Sequence, residues 1–421
     1  MRLPARPSRK DDRSGIHCDK LLDAAKAVGD RLDSLAVCDG EDISWIGLML
    51  TRRDNWSLVP LGLDLYGGLP GVALFLAYLG AASTENRYTT LAKRVLATIR
   101  RQLLAVPIDG LSVGAFDGWG GITYTLTHLG MLWNDSELLA EAKQVAKRSR
   151  PLNLYDRNFD IVSGTAGGVM SLLALHSVAP CEDILAAAVD SGDHLLRHAQ
   201  PMQAGIGWPA CFPAFGPLTG LGHGVSGIAW ALLELSAVSG EFRFRDAALE
   251  AIRYEDSLFS SDTKNWLDLR ETGHSHGPRF MAGWCHGAPG IALMRLRTLR
   301  YIDGLQVRND IAAGLDTTLT QGFRGDHSLC HGSVGNLEPL LQASDLLDRT
   351  VWTSHVDRLS AAILKNIEQD GWLCSVPLAV ESPGLMTGLA GIGYGLLRVA
   401  DPSTIPSLLT LAPPVACTIA S

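Results

Sequence analysis

Two short segments of the chain carry the same pair of reactive side chains. Gly283-Trp284-Cys285-His286-Gly287-Ala288-Pro289-Gly290 and Leu329-Cys330-His331-Gly332-Ser333-Val334-Gly335 both read Cys-His-Gly-x-x-Gly, forty-five residues apart. Thiolate and imidazole are the ligands that Zn²⁺ takes tetrahedrally, and a catalytic zinc keeps one position open for substrate. Cys285, Cys330 and one histidine would leave such an opening. Ligation by both His286 and His331 would close the site and make it structural, and spacing alone does not choose. The plain alternative is that two small thiols fill tight space between helices. Their equivalent places, each followed by His-Gly, favour a metal. His223 is the next candidate: an imidazole titrates near working pH and serves as general acid or base. A core histidine bonded to a backbone carbonyl is the alternative. Asp160, in Phe159-Asp160-Ile161-Val162-Ser163-Gly164, either orients and charges His223 or caps the helix that follows.

These residues belong to a repeat. Gly-x-x-Gly turns occur at Gly68–Gly71, Gly118–Gly121, Gly164–Gly167, Gly224–Gly227, Gly287–Gly290, Gly332–Gly335 and Gly388–Gly391, at steps of 45 to 63 residues. Seven copies at such spacing mark a repeat architecture. Each turn is followed by a run of small and apolar residues such as Val72-Ala73-Leu74-Phe75-Leu76-Ala77-Tyr78-Leu79. A helix apolar all round is buried all round. A second helix follows with an apolar stripe: Leu91, Val95, Ile99 and Leu103 in the first copy. Asp183–Ala199, Phe242–Tyr254, Gln306–Leu319 and His355–Ile367 read the same way. Strand alternation is nearly absent, and Ile43–Pro60 reads as irregular. The fold class is all-α, a seven-fold α/α toroid with inner and outer rings of helices; an open solenoid is the alternative. The turns share one rim, where glycine permits close approach and unusual φ values. One residue before the first turn glycine stand Gly67, Asp117, Ser163, His223, His286, His331 and Thr387. Two before it stand Tyr66, Phe116, Val162, Gly222, Cys285, Cys330 and Met386. The histidines and thiols therefore fall in three adjacent units.

Composition excludes other classes. Apolar residues are 47% of 421, ample for a large core, and a net charge of −8 offers nucleic acid no basic surface. The basic cluster Arg2, Arg6, Arg9, Lys10 and Arg13 lies beside Pro4 and Pro7 and reads as a flexible tail. No apolar run reaches the eighteen residues of a membrane span, and no secretory h-region opens the chain. Eight scattered cysteines fit a reducing cytosol, hence a cytoplasmic protein. The organisation expected is an N-terminal extension over 1–41, partly flexible, a toroid over 42–410 and a tail over 411–421. Two long inter-turn segments, Pro201–Gly222 and Ser257–Gly283, have the length of lids or peptide-binding walls, with ordinary surface loops as the equal alternative. His274 and His276 in the second read as solvated residues.

Trp284-Cys285-His286-Gly287-Ala288-Pro289-Gly290, Cys330-His331-Gly332 and His223-Gly224-Val225-Ser226-Gly227 resemble the motifs of the lanthionine synthetase C-like family. Trp45-Ile46-Gly47-Leu48 and the stretch Pro60–Gly80 resemble the start of the C-terminal cyclase domain of class II lanthipeptide synthetases. The resemblance runs from about residue 42 to 400 and implies a seven-fold toroid holding one zinc ion. It implies closure of thioether rings, lanthionine or methyllanthionine, in a ribosomal precursor peptide. A peptide cysteine adds to dehydroalanine or dehydrobutyrine. Carried over by motif, the metal ligands are Cys285, Cys330 and His331. His223 is the acid/base and Asp160 its partner, with Trp284 and His286 bordering the site. His286 stands where stand-alone cyclases carry tyrosine. Met281 stands where they carry an arginine near the zinc, with Arg279 close by in sequence. The chain has no room for the dehydratase domain of class II synthetases, so the expectation is that a separate dehydratase supplies the dehydrated peptide or that the sequence is a domain cut from a longer protein. Aminovinyl-cysteine ring formation is one alternative on the same scaffold. A non-catalytic scaffold binding peptide or glutathione is another. A prenyltransferase-like zinc site would need an Asp ligand, and no matching pattern is evident.

Overall fold

A computed structural model describes residues 15–52, 55–210, 212–271 and 279–415. The basic cluster at the start, His274 and His276 lie outside these residues. Fourteen α-helices are present among them. The chain opens with α1 (Gly15–Leu35). Pairs follow: α2 (Leu69–Ser83) with α3 (Asn86–Leu103), α4 (Trp119–Leu132) with α5 (Ser136–Ser149), and α6 (Thr165–Val178) with α7 (Glu182–His198). Then come α8 (Val225–Ser239) with α9 (Phe242–Asp256), α10 (Ala288–Thr298) with α11 (Leu305–Gln321), and α12 (Glu338–Leu346) with α13 (Arg349–Asp370); α14 (Leu389–Ala400) is last. Even-numbered helices make the inner ring: from α14 through α2 to α12 each packs on the next, and α12 and α14 are joined by the buried Glu338–Arg398 pair; odd-numbered helices lie outside. Every residue of α2 from Leu69 to Gly80 is buried, as its uniformly apolar sequence demands. In α3 the buried set Leu91, Val95, Ile99 and Leu103 is one stripe, with arginines on the other faces.

The ring closes through the backbone. The N–H of Tyr66 donates to the carbonyl of Phe116, Phe116 to Val162, Val162 to Gly222, and Gly222 to Cys285. Cys285 donates to Cys330, Cys330 to Met386, and Met386 back to Tyr66, all seven bonds lying between 2.7 and 3.3 Å. These are the residues two before each turn. An open solenoid would leave one buried donor and one buried acceptor unpaired at its ends, costing about 1–3 kcal/mol each. Closure satisfies both.

The turn glycines serve close approach. Of the fourteen, Gly287 alone has a positive φ, +85°. A Cβ on the second glycine of any turn would lie 1.6–2.7 Å from the carbonyl oxygen six residues earlier, from Gly71 against Leu65 to Gly391 against Leu385. That carbonyl belongs to the residue preceding the ring-forming one. Any side chain here would push the loop off the helix start and break the backbone ring. The expectation of unusual φ values thus holds at one turn, and steric contact explains the rest.

The seventh unit is completed from the other end of the chain. Among the described residues no amphipathic helix follows α14; α1, in the stretch read as an N-terminal extension, packs on it. Leu21, Ala25, Val28 and Leu32 supply its fully buried stripe. Trp45, also fully buried, donates its indole N–H to the Leu32 carbonyl at 2.7 Å. Beyond α14 the chain turns into the ring. Leu408, Leu409 and Leu411 are buried, and Tyr124 and Tyr394 donate hydroxyls to the carbonyls of Ala412 and Pro406. Ile43–Pro60 contains an antiparallel hairpin of Ile46–Arg52 with Asn55–Pro60 rather than irregular chain. No described helix is long and apolar enough to cross a membrane.

Candidate metal centre and acid–base pair

The backbone ring decides where the chemistry sits. Cys285 and Cys330 are consecutive members of it, so their side chains leave neighbouring points of one rim. Gly222, the member before them, has no side chain: a Cβ there would stand 3.1 Å from the Cα and Cβ of Cys285. The ligand atoms of Cys285, Cys330 and His331 lie within 4.8 Å of one another, with both thiols buried. His331 Nε2 is hydrogen-bonded to the Ser375 hydroxyl. Its Nδ1 is buried with no hydrogen-bond partner of normal geometry. One ring nitrogen engaged by a hydroxyl and the other left over is the arrangement of a metal-ligating histidine. The thiol pair adds electrostatic support. Hydrogen bonding from Cys330 holds Cys285 well below the ordinary thiol range against the opposing effect of burial. Hydrogen bonding to Cys285, then burial, pushes Cys330 well above the ordinary range. A divalent cation relieves that conflict, and two sulfurs with one imidazole fit Zn²⁺. Tyr66, from the first unit, donates its phenolic O–H to Cys330 Sγ at 3.1 Å. Burial, then the electrostatic influence of the neighbouring thiol pair, raises that phenol well above its ordinary value, so it stays a donor.

His223 and Asp160 meet beside this cluster. His223 Nδ1 lies 2.8 Å from Asp160 Oδ2. Asp160 Oδ1 accepts the backbone N–H groups of Ser163 at 2.7 Å and Gly164 at 3.1 Å. Of the two readings of Asp160, the contact with His223 is present, whereas α6 carries no side-chain cap: the second oxygen braces the loop that leads into the helix. Burial pulls the His223 pKa down, but the Asp160 charge and hydrogen bond outweigh it and leave it above 6.5. His286 stacks on His223 with ring centres 5.7 Å apart. Burial takes His286 down to about 4, so at neutral pH it is an uncharged imidazole. Trp284 points the other way, into the ring. It packs edge-on against Phe116 at 5.3 Å and donates its N–H to the Leu409 carbonyl at 2.8 Å. Its contact with the site is through the backbone it shares with Cys285.

The two long loops pair with each other beside these groups. Phe215 N–H donates to the Leu269 carbonyl and Glu271 N–H to the Pro213 carbonyl. Phe212 sets its ring edge toward His223, centres 5.2 Å apart. From the second loop Arg270 grips Asp268 and places Nη2 3.1 Å from Met281 Sδ. The guanidinium that reaches Met281 is thus Arg270's; Arg279 lies 4.0 Å from Asp268. Sequence reasoning singled out neither Ser375 nor Arg270, because both arrive from loops with no repeat register. Tyr66 did carry a signal: it is the polar ring at the place where the fifth and sixth units put thiols. Cys18, Cys38, Cys181, Cys285, Cys330 and Cys374 form no disulfide.

The profile of the lanthionine synthetase C-like protein family matches residues 59–410. The chain belongs to that family. It is 23% identical over 401 residues to the lacticin 481/lactococcin biosynthesis protein LcnDR2 of Lactococcus lactis subsp. lactis, covering 90% of this chain and 41% of that protein. It is 26% identical over 192 residues to the glutathione S-transferase LANCL1 of Danio rerio, covering 44% of this chain and 43% of that protein. The chain thus spans about two-fifths of the length of these curated relatives. Among solved structures, nisin cyclase superposes with a TM-score of 0.67 at 18% identity, over 83% of this chain and 92% of that one. That likeness is one of fold, the α/α toroid.

Proposed function

We propose that the chain is a thioether-forming peptide cyclase that uses zinc. Its substrate is a dehydrated precursor peptide, prepared by a separate dehydratase. The observation that carries this reading is one rim bearing both a Cys285–Cys330–His331 cluster and a carboxylate-braced histidine. A peptide thiol has a pKa near 8.5, so little of it is thiolate at neutral pH. Cys285, Cys330 and His331 would hold a zinc ion, which would supply the Lewis acidity that lowers the pKa of an arriving thiol. The remaining work falls to this chain's side chains. His223, kept protonatable by Asp160, accepts the thiol proton and later returns it. When sulfur bonds to the β-carbon of the dehydro residue, the C=C electron pair passes toward the α-carbon and its carbonyl. His223 delivers the proton to that α-carbon, so the ring forms without net gain or loss of atoms. His286, uncharged and stacked on His223, shields it on one face, and Phe212 borders another. The paired loops wall the site and hold the two peptide segments together, which raises their effective concentration.

The similarity to a glutathione S-transferase, as LANCL1 is named, favours a second reading, addition of a small free thiol to an electrophile at the same site. Incubation with a dehydrated, cysteine-containing peptide separates the two. Cyclase activity removes free peptide thiols at constant mass. Small-thiol addition raises the mass by the added thiol. Cys330→Ala is expected to drop zinc from about one equivalent to a trace and to abolish either reaction. Undiminished zinc in that variant removes Cys330 from the ligand set.

A further inference from the structure

Any site that activates a substrate thiol toward an electrophile faces a difficulty of its own making. Cys285 and Cys330 are nucleophiles too, and both stand beside the reacting atoms. If Cys330 Sγ attacked the β-carbon, an S–C bond would form, the C=C pair would move to the α-carbon, and that carbon would take a proton. The protein would then be joined to its substrate and a ligand would be spent.

The two protein sulfurs are shielded differently. Beside Cys285 lies the bare backbone of Gly222, where a Cβ would stand 3.1 Å from the Cys285 Cα and Cβ. Cys330 carries the Tyr66 hydroxyl at 3.1 Å. Tyr66 is fixed for this contact at every level. Its N–H donates to Phe116 and its carbonyl accepts from Leu385 and Met386, so both sides of its backbone sit in the closed ring. The next residue, Gly67, is pinned through its N–H to Asp64 Oδ1 at 2.6 Å. The Tyr66 ring packs edge-on against Phe116 at 6.5 Å, and Phe116 packs on Trp284. The other ring positions without a thiol are Phe116, Val162, Gly222 and Met386, so packing here calls for no hydroxyl. A phenylalanine fills this place in the second unit.

We propose that Tyr66 is a positioning residue that guards Cys330: its O–H···S hydrogen bond draws charge from that sulfur, so the arriving peptide thiol reacts and the protein's own does not. A hydrogen bond to an anionic sulfur is charge-assisted, and a sulfur that has given up density is a poorer nucleophile. The proposal rests on the thiol-addition chemistry proposed above, but its test does not require ring closure.

The test compares the zinc-loaded protein with zinc-loaded Tyr66→Phe. Both are treated with iodoacetamide and, separately, with a dehydroalanine peptide that lacks cysteine. Adducts at Cys285 and Cys330 are located by peptide mass spectrometry. Tyr66→Phe is expected to keep about one zinc per chain and to be modified at Cys330 roughly fivefold faster, the factor carried by one net hydrogen bond, with Cys285 unchanged. In the cobalt-substituted protein the sulfur-to-cobalt charge-transfer band is expected to move to lower energy in the variant. Equal modification rates with an unmoved band overturn the proposal. So does loss of zinc from Tyr66→Phe, which would make the phenol part of the metal centre's construction. Neither result bears on whether the protein closes rings.

Discussion

His128 and His223 are two largely buried imidazoles in the same ring, and their protonation is pushed in opposite directions. His128 lies among Tyr78, Tyr124 and the chain end, with its Nδ1 at 2.7 Å from the Tyr78 hydroxyl. Burial lowers its pKa to about 3. His223 is also penalised by burial, yet it ends above 6.5 because Asp160 faces it. The lesson concerns the carboxylate rather than the depth. A neutral hydroxyl engages one nitrogen of the buried histidine, leaves the other without a hydrogen-bond partner of normal geometry, and does nothing to offset the burial that keeps the ring uncharged. A buried Asp, itself held by two backbone N–H groups, faces the histidine and raises its pKa, as a proton carrier would need. The core end of the toroid uses the first arrangement, the rim the second.

Three substitutions sharpen or break this contrast. The largest effect belongs to His223→Asn. It is expected to keep zinc but slow cyclisation about 10²- to 10⁴-fold, whereas His128→Gln, in α4 away from the rim, leaves the rate of the folded protein within about twofold. Wild-type turnover in His223→Asn removes that residue from the chemistry. Next is Asp160→Asn. The amide oxygen still accepts from Ser163 and Gly164, so the loop into α6 is preserved while the charge is gone. The His223 resonances, followed by NMR against pH, are expected to titrate below 6.5 instead of above. An unmoved titration breaks the comparison at its root. The smallest effect is thermodynamic. His128 binds its proton near 6.5 in the unfolded chain and near 3 in the folded one. Its contribution is whole above pH 6.5 and is lost as pH falls from there toward 3. Between pH 7 and 4 this removes about 3 kcal/mol of unfolding free energy. Urea titrations of His128→Gln are expected to show a smaller loss over that range. Parallel curves contradict the assignment.

Much of this was legible in the chain. Seven Gly-x-x-Gly turns carry a steric requirement that recurs at each unit, so the period, the inner helices and the shared rim follow from spacing. Counting back from each turn also names the backbone ring, from Tyr66 to Met386, because equivalent residues must meet when the units close. What the chain order concealed was the seventh outer helix. The stretch after α14 has Pro402, Pro406, Pro413 and Pro414 and no apolar stripe, while the stripe that fits lies almost four hundred residues earlier in α1. Ser375, Arg270 and the inward turn of Trp284 were equally hidden. Their places depend on loop conformations and on contacts between units, and no local periodicity encodes those.

The most direct test of the account is thiol loss together with isotope uptake. The zinc-loaded protein and a dehydrated peptide with cysteine are incubated in D₂O, returned to H₂O, and analysed for free thiols and mass. The account predicts that each thiol lost is matched by one deuterium retained on carbon, the proton that His223 delivers to the α-carbon. Peptides whose thiols all remain free, with no deuterium on carbon, would contradict it.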